Sequence, residues 1–222
     1  IVKHVHFDGN GTAWIGMEQG GLASYNPEGG GFEPVVDWNY GKLNTFVQLW
    51  PNEFWVSTAR NGLVRIRLGK GAAHVRVFRR QDGIVANRTY TLFRDTEHNL
   101  WLGAQGGVSL YTGNQVEFIN DFAQLPFRQV YDFTIGPQGR YWVTTDQGLF
   151  TMQPDVMGNF TVTPMLDTQA YAHHTFLSLY KSPDGYIWVS TYGFGVYRIL
   201  PGTNQVLHVS TQEGLPNDNI MH

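Results

Sequence analysis

The feature that most constrains this chain is a short motif that returns five times within 222 residues. Each copy has a tryptophan followed by an aliphatic and a small residue, and a glycine with an aliphatic neighbour comes six to eight positions later. The tryptophans are Trp14, Trp55, Trp101, Trp142 and Trp188, separated by 41, 46, 41 and 46 residues. A period of roughly 40–50 residues is typical of a four-stranded propeller blade or of the helical HEAT and armadillo repeats.

The residues between the tryptophans decide between strands and helices. Helical repeats need apolar residues at spacings of three and four over about ten residues, and no stretch of the sequence has that pattern. Short apolar and aromatic runs are instead separated by Gly, Pro, Asn and Asp, which is typical of strands and turns. The sequence therefore predicts an all-β fold, a β-propeller built from five four-stranded antiparallel blades. The blades are expected at about residues 1–40, 41–86, 87–127, 128–173 and 174–222.

Each blade is expected to contain an inner strand, a turn and three further strands. In the first blade the strands are predicted over residues 2–7, 12–17, 21–25 and 32–36, and the outer strand of the third blade over 116–119. Residues 214–219 resemble the approach to another inner strand. Two arrangements stay open, a five-blade ring or five blades of a longer array. We favour the array because terminal repeats are normally atypical and these are not.

The best copy of the motif resembles a known repeat. Residues 184–197 read Asp-Gly-Tyr-Ile-Trp-Val-Ser-Thr-Tyr-Gly-Phe-Gly-Val-Tyr, and Gly-Leu-Pro-Asn-Asp follows at 214–218. This pattern is similar to the two-component regulator propeller repeat, and the other copies extend the resemblance over essentially the whole chain. The second blade departs from it, with Pro51-Asn52-Glu53 in place of Asp-Gly, and the fourth has Gln138-Gly139.

The resemblance implies a periplasmic or extracellular sensor region of a bacterial membrane-bound regulator. Relatives join such propellers to histidine kinase or diguanylate cyclase outputs, and several bind polysaccharide fragments. A polysaccharide-derived or other small polar ligand is therefore implied here. The motif residues of the family are structural, so the resemblance implies no catalytic residue.

The composition limits the classes of partner that the chain is expected to bind. The formal net charge is -3 and no basic cluster occurs, which argues against nucleic acid. The chain has no cysteine, which excludes disulfides and thiolate metal sites. No apolar run approaches the ~20 residues of a membrane span. No cofactor is predicted.

A metal site is also not predicted, although one group of residues has side chains of the types that bind zinc. His4, His6 and Asp8 fall on one face of the first strand because successive strand residues alternate. Zinc needs three or four ligands, and the sequence identifies no further partner ligand for these residues.

Ligand contacts are expected from loops, because the repeated tryptophans are expected to pack between blades. In propellers the turn between strands two and three and the connector to the next blade open on the same face. Trp38 and Trp50 lie outside the repeat, and Trp38 is expected to face the ligand. Arginine pairs well with carboxylate or sulfate, so the arginines in these loops favour an anionic or polar glycan-like ligand. An equal alternative is that these arginines are surface charges that keep the protein soluble. The candidate ligand-binding residues are Arg60, Arg88, Arg128, Trp38, Tyr40, His173, His174 and Tyr192.

Two other classes of function stay open. A propeller enzyme resembling the streptogramin lyases would need an acid and a base within reach of each other in one pocket. Its candidates, His173, His174 and Glu18, belong to different blades, so an enzyme is not the leading prediction. A structural scaffold that self-associates through its end blades is the third possibility.

Overall fold

The described residues of the chain form five four-stranded sheets. The computed structural model describes residues 1–27, 29–113, 116–117, 127–154, 160–166, 171, 173–203 and 205–221. Within those residues, the four strands of every sheet pair antiparallel in chain order. The predicted all-β architecture of five four-stranded antiparallel blades is confirmed. The chain divides into two compact units, Ile1–Asn120 and Asp121–His222.

Unit 1 contains sheets 1, 2 and 3. Their strands are, in order, β1 (Val2–Phe7), β2 (Ala13–Met17), β3 (Gly21–Asn26) and β4 (Gly31–Pro34); β5 (Leu43–Trp50), β6 (Glu53–Thr58), β7 (Leu63–Arg67) and β8 (His74–Phe78); and β9 (Thr89–Arg94), β10 (Leu100–Ala104), β11 (Gly107–Tyr111) and β12 (Val116–Glu117).

Unit 2 contains sheets 4 and 5. Their strands are β13 (Val130–Ile135), β14 (Tyr141–Thr145), β15 (Gly148–Pro154) and β16 (Phe160–Pro164); and β17 (Phe176–Lys181), β18 (Ile187–Thr191), β19 (Val196–Ile199) and β20 (Val206–Val209).

The predicted strands agree with these bounds to within two residues. The outer strand of the first blade ends at Pro34 instead of residue 36. Residues 118 and 119 of the strand predicted over 116–119 lie outside the described residues. Among the described residues, no helix has the length and apolar character needed to cross a membrane.

Neighbouring sheets pack face to face within each unit. In unit 1 the inner strands β1, β5 and β9 follow one another side by side, and in unit 2 β13 lies beside β17. Between sheets 1 and 2 the Trp14 ring lies 4.3 Å from that of Phe54, and between sheets 2 and 3 the Trp55 ring lies 4.7 Å from that of Tyr111. This is the packing of propeller blades, in which each sheet buries its faces on its neighbours.

The repeated tryptophans belong to that packing. Trp14, Trp55, Trp101 and Trp142 are buried, while Trp188 is half-buried. A buried indole N–H needs an acceptor, and carboxylates supply it in unit 1. The indole of Trp14 donates to Asp8 at 3.0 Å, that of Trp101 to Asp95 at 2.9 Å and that of Trp55 to Glu53 at 2.7 Å.

The repeated glycine has a steric cause. Gly62 and Gly195 adopt φ values of 82° and 71°, a region that disfavours residues with a side chain. A Cβ would lie 2.1 Å from the carbonyl oxygen of Phe78 at Gly62, and 2.2 Å from that of Val209 at Gly195. The outer strand therefore approaches the turn so closely that only glycine fits.

One face of the first strand remains accessible. Val5 and Phe7 are 48% and 67% exposed, and His4 and His6 on the other side contact the ring of Phe46 at 5.1 and 6.5 Å. Self-association through such an end blade stays a prediction.

Candidate functional site

The predicted ligand residues lie at one end of their sheets, which we call the connector edge. It carries the turn between the second and third strands and the connectors to neighbouring sheets. In sheet 2, the amide of Ala59 donates to Lys42 and that of Gly62 to Asn87, at 2.9 and 2.8 Å. In sheet 5, the amide of Tyr192 donates to Thr175 at 3.0 Å and that of Gly195 donates to the Asp218 carbonyl at 2.8 Å. The turn and both connectors therefore meet at one edge of each sheet.

Trp38 and Tyr40 are largely occupied with packing. A Cβ on Gly21 would lie 2.3 Å from the Trp38 ring, so the indole lies directly on the backbone of β3. Its N–H donates to the carbonyl of Gly41 at 2.5 Å, and its ring contacts Tyr40 edge-on at 5.2 Å. Both side chains pack against the core between sheets 1 and 2. Trp38 is half-buried, and its ligand-facing role stays a prediction.

The arginines are exposed but are divided between the two units. In unit 1, Arg60 and Arg88 are exposed, and the Arg88 guanidinium lies 5.8 Å from the Tyr90 ring centre. In unit 2, Arg128 is exposed, and its backbone amide donates to Asp146 at 2.9 Å. Glu18, an acid considered for the enzyme alternative, forms an ion pair with Lys42 at 3.0 Å. The shared role of the three arginines stays a prediction.

Sheet 5 brings three predicted residues to one connector edge beside a group of aromatic rings. We call this group, consisting of Tyr171, His174, Phe194, Tyr197 and His208, the blade-five cluster. The His174 ring lies 3.7 Å from that of Phe194 and 5.4 Å from that of Tyr171. The His208 ring stacks on Tyr197 at 4.6 Å.

Polar atoms line the blade-five cluster. The Nε2 atom of His208 lies 2.7 Å from the carbonyl oxygen of Phe194. The Nδ1 atom of His174 is buried and has no hydrogen-bond partner among the described residues. Tyr192, next to the cluster along the chain, is 62% exposed, and His173 is exposed. The exposed phenol of Tyr192 and the exposed imidazole of His173 are suited to hydrogen-bonding a hydroxyl-bearing ligand.

Burial shifts the pKa values of two residues of the blade-five cluster. Desolvation lowers the pKa of the His174 imidazole below its ordinary value, and the nearby His208 lowers it further. Desolvation, with a smaller contribution from Tyr171, raises the pKa of the Tyr197 phenol to about 12. Both groups are therefore neutral at pH 7, which suits a site for an uncharged or hydroxylated ligand.

The sequence reasoning missed Phe194 and His208. Phe194 stands between two glycines in the turn after β18, and His208 lies on the outer strand β20. The glycines were a readable signal for Phe194, because a large ring in a tight turn is poorly placed for the core. His208 had no such signal, since its contact with Tyr197 depends on the pairing of β19 with β20.

Metal ligation finds no support in the described part of the chain. No group of three or more His, Asp or Glu side chains there is close enough to hold an ion. Asp8, which could have joined His4 and His6, instead accepts hydrogen bonds from two backbone amides and the Trp14 indole.

Comparisons with known proteins agree with the repeat seen in the sequence. Residues 171–193, which include His173, His174 and Tyr192, match the family model described as two component regulator propeller. The resemblance stated from the residues is thus confirmed for this segment. No curated protein matches the chain by sequence.

Solved structures share the fold at low identity. The extracellular domain of a hybrid two-component system protein from B. thetaiotaomicron is 18% identical with a TM-score of 0.76, over 98% of this chain and 30% of that one. The β-propeller domain of Cps50 (Swd1) from Myceliophteria thermophila is 11% identical with a TM-score of 0.74, over 98% and 75%. A virginiamycin B lyase from Staphylococcus aureus is 16% identical with a TM-score of 0.67, over 96% and 71%.

These likenesses show a β-propeller fold. The chain spans about 30% of the length of the B. thetaiotaomicron domain. Proteins of different function share this fold, so function has to be argued from the residues of the site.

Proposed function

We propose that the chain is a ligand-sensing propeller segment of a bacterial membrane-bound signalling protein, located in the periplasm or outside the cell. The observation that carries this proposal is the match of residues 171–193 to the two component regulator propeller model. The likeness to extracellular domains of two-component systems supports it. The match includes His173, His174 and Tyr192, the three predicted ligand residues of sheet 5.

The ligand we propose is a polysaccharide fragment or another small polar molecule. Tyr192 offers an exposed ring and hydroxyl, and His173 offers an exposed imidazole. Sugars present both hydroxyls and flat apolar faces, and rigid aromatic side chains bind such faces at low entropic cost. Neutral rings at pH 7 favour contact through hydrogen bonds over ion pairing.

A titration with matched variants tests this proposal. Thermal-shift screening of polysaccharide fragments against the 222-residue chain should find a stabilising ligand, because a ligand that binds the folded state alone raises the unfolding temperature. Tyr192→Ala should then weaken binding about tenfold or more, in line with the loss of an aromatic anchor. Tyr180→Ala is the matched control, because Tyr180 is also on sheet 5 and equally exposed at 61%. Equal effects of the two variants would contradict the assignment of the connector edge.

An enzyme of the lyase type and a structural scaffold are the competing functions. The fold likeness to the virginiamycin B lyase is compatible with the first. Chemical conversion of a stabilising ligand on prolonged incubation would favour the enzyme. Absence of any ligand, together with concentration-dependent dimers in sedimentation, would favour the scaffold.

A further inference from the structure

Unit 1 has a concave surface at the end of its sheets opposite the connector edge. The turns between the first and second strands of sheets 1, 2 and 3 enclose an open groove of about 790 Å³. Its side chains include Asn10, Gln48, Trp50, Asn52, Arg94 and His98. A volume of this size is within the ~300–1,000 Å³ of small-molecule sites. We call it the unit 1 groove.

The turns of sheets 1 and 3 at the groove have the same hydrogen bonds. Asp8 and Asp95 each accept two backbone amides with Oδ1 and the indole of the next repeated tryptophan with Oδ2. The fourth residue of this turn must have positive φ, and it is Gly11 in sheet 1. Sheets 4 and 5 also have glycine there, at Gly139 and Gly185, with φ values of 69° and 89°.

Sheet 3 departs from this rule at the groove. Its fourth turn residue is His98, which adopts φ 65°. A residue with a side chain in this region costs about 1–2 kcal/mol, and such strain concentrates at functional sites. His98 therefore stands where three other sheets use glycine, and its ring lines the groove.

The His98 ring supports an exposed tryptophan. It stacks on Trp50 with ring centres 4.8 Å apart and an angle of 19° between the planes. Trp50 lies outside the repeat and is 50% exposed. The stack leaves much of the indole open to the groove, as a flat apolar surface held in one orientation.

The described residues that line the groove hold one guanidinium, that of Arg94, and one carboxylate, that of Asp8. The Arg94 guanidinium is exposed and makes one long hydrogen bond, at 3.4 Å, to the carbonyl of Gln48. The carboxylate among the described groove residues is that of Asp8, which already accepts three hydrogen bonds. The amides of Asn10 and Asn52 are exposed beside it. A guanidinium fork with free N–H groups matches the two oxygens of a carboxylate.

We infer that the unit 1 groove binds a small molecule with a carboxylate attached to a six-membered ring. The ring lies on Trp50 and the carboxylate pairs with Arg94. Sugar acids and aromatic acids share this chemistry. The site is separate from the connector edge of sheet 5 and does not depend on the sensor function.

Calorimetric titration of the whole chain with galacturonate and with benzoate tests the inference. Galactose, which lacks the carboxylate, and acetate, which lacks the ring, are the control probes. At least one ring acid should bind about tenfold or more tightly than both controls, because charge pairing and ring contact each contribute. Tighter binding of galacturonate identifies a sugar acid as the source, and tighter binding of benzoate an aromatic acid.

Substitutions test whether the ring acid binds at the named residues of the unit 1 groove. Arg94→Ala should weaken the better ring acid about tenfold or more, and Arg94→Lys by a smaller factor, because lysine keeps the charge but loses the fork. Arg140→Ala is the matched control, since Arg140 is an exposed arginine in the corresponding turn of sheet 4. Trp50→Ala and His98→Gly should also weaken binding, with unfolding temperatures measured alongside to confirm folding.

Three results would overturn the inference. They are no detectable binding of either ring acid at millimolar concentration, equal binding of galactose or acetate, and an equal loss in Arg140→Ala. Tyr192→Ala separates the two proposals, because it should leave the groove affinity unchanged while removing a ligand from the connector edge of sheet 5.

Discussion

Two tryptophans lie outside the repeat of this chain, and they have opposite surroundings. Trp38 lies on the backbone of Gly21, donates its N–H to Gly41 and packs into the core between sheets 1 and 2. Trp50 is half exposed and stacks on the strained His98 in the unit 1 groove. Absence from the repeat therefore does not by itself indicate ligand contact. What distinguishes the two rings is the surface that each one covers.

The largest loss of stability is expected from adding a side chain under the Trp38 ring. Gly21→Ala places a Cβ 2.3 Å from the indole at φ 70°, so overpacking and backbone strain combine to cost about 3 kcal/mol of unfolding free energy. Urea unfolding followed by circular dichroism measures it. Gly9→Ala, where a Cβ meets nothing within 4 Å, should change stability by less than about 0.5 kcal/mol. A tolerated Gly21→Ala would show that Trp38 does not pack as described.

Truncating the two rings compares them directly. Trp38→Ala should cost about 2 kcal/mol, since a fully buried tryptophan costs ~3–5 and Trp38 is partly buried. Trp50→Ala should cost less than about 1 kcal/mol, because half of its surface is already in water. The same urea experiment decides, and a larger loss at Trp50 than at Trp38 would reverse the comparison.

A smaller effect is expected at the residue under Trp50. His98→Gly should change unfolding free energy by less than about 1 kcal/mol, because relief of strain offsets the lost ring contact. His98→Ala keeps the strain and also loses the ring, so it should be less stable than His98→Gly by about 1 kcal/mol. Equal stability of the two variants would mean that the positive φ of His98 carries no strain.

The smallest effect concerns a packed histidine in sheet 5. The pKa of His174 is lowered by desolvation, so the unfolded chain binds its proton at higher pH than the folded chain does. Its share of stability is therefore fully present above about pH 6.5 and decreases as pH falls from there toward the folded pKa. His174→Phe should flatten the dependence of the unfolding temperature on pH between 7 and 5. An unchanged slope in His174→Phe would contradict the assignment.

The sequence predicted the fold closely because the features that define a blade are local. A tryptophan, a turn and a glycine at a fixed spacing mark each blade, and these residues contact near neighbours in the chain, as Trp101 does with Asp95. Strand ends such as Pro34 shift because pairing with the adjacent strand, and not local propensity, decides where a strand stops.

The candidate site was harder to predict, because its contacts join distant residues. Trp38 is separated from Gly21, on which it lies, by a hairpin, and Trp50 is separated from His98 by a whole blade. One signal was present in the sequence. Aligning the first turns of the blades places His98 where Gly11, Gly139 and Gly185 stand, and a bulky residue at a glycine position indicates a special role.

Proton–nitrogen NMR of the tryptophan indoles during a galacturonate titration tests the central claim most directly. The indole proton of Trp50 should exchange with water, and its signal should move when galacturonate binds. The signals of Trp55, Trp101 and Trp142 should stay protected and unmoved, because their rings are buried between neighbouring strands and sheets and do not line the unit 1 groove. A protected Trp50 signal, or ligand shifts confined to the repeated tryptophans, would contradict the separation of packing from binding.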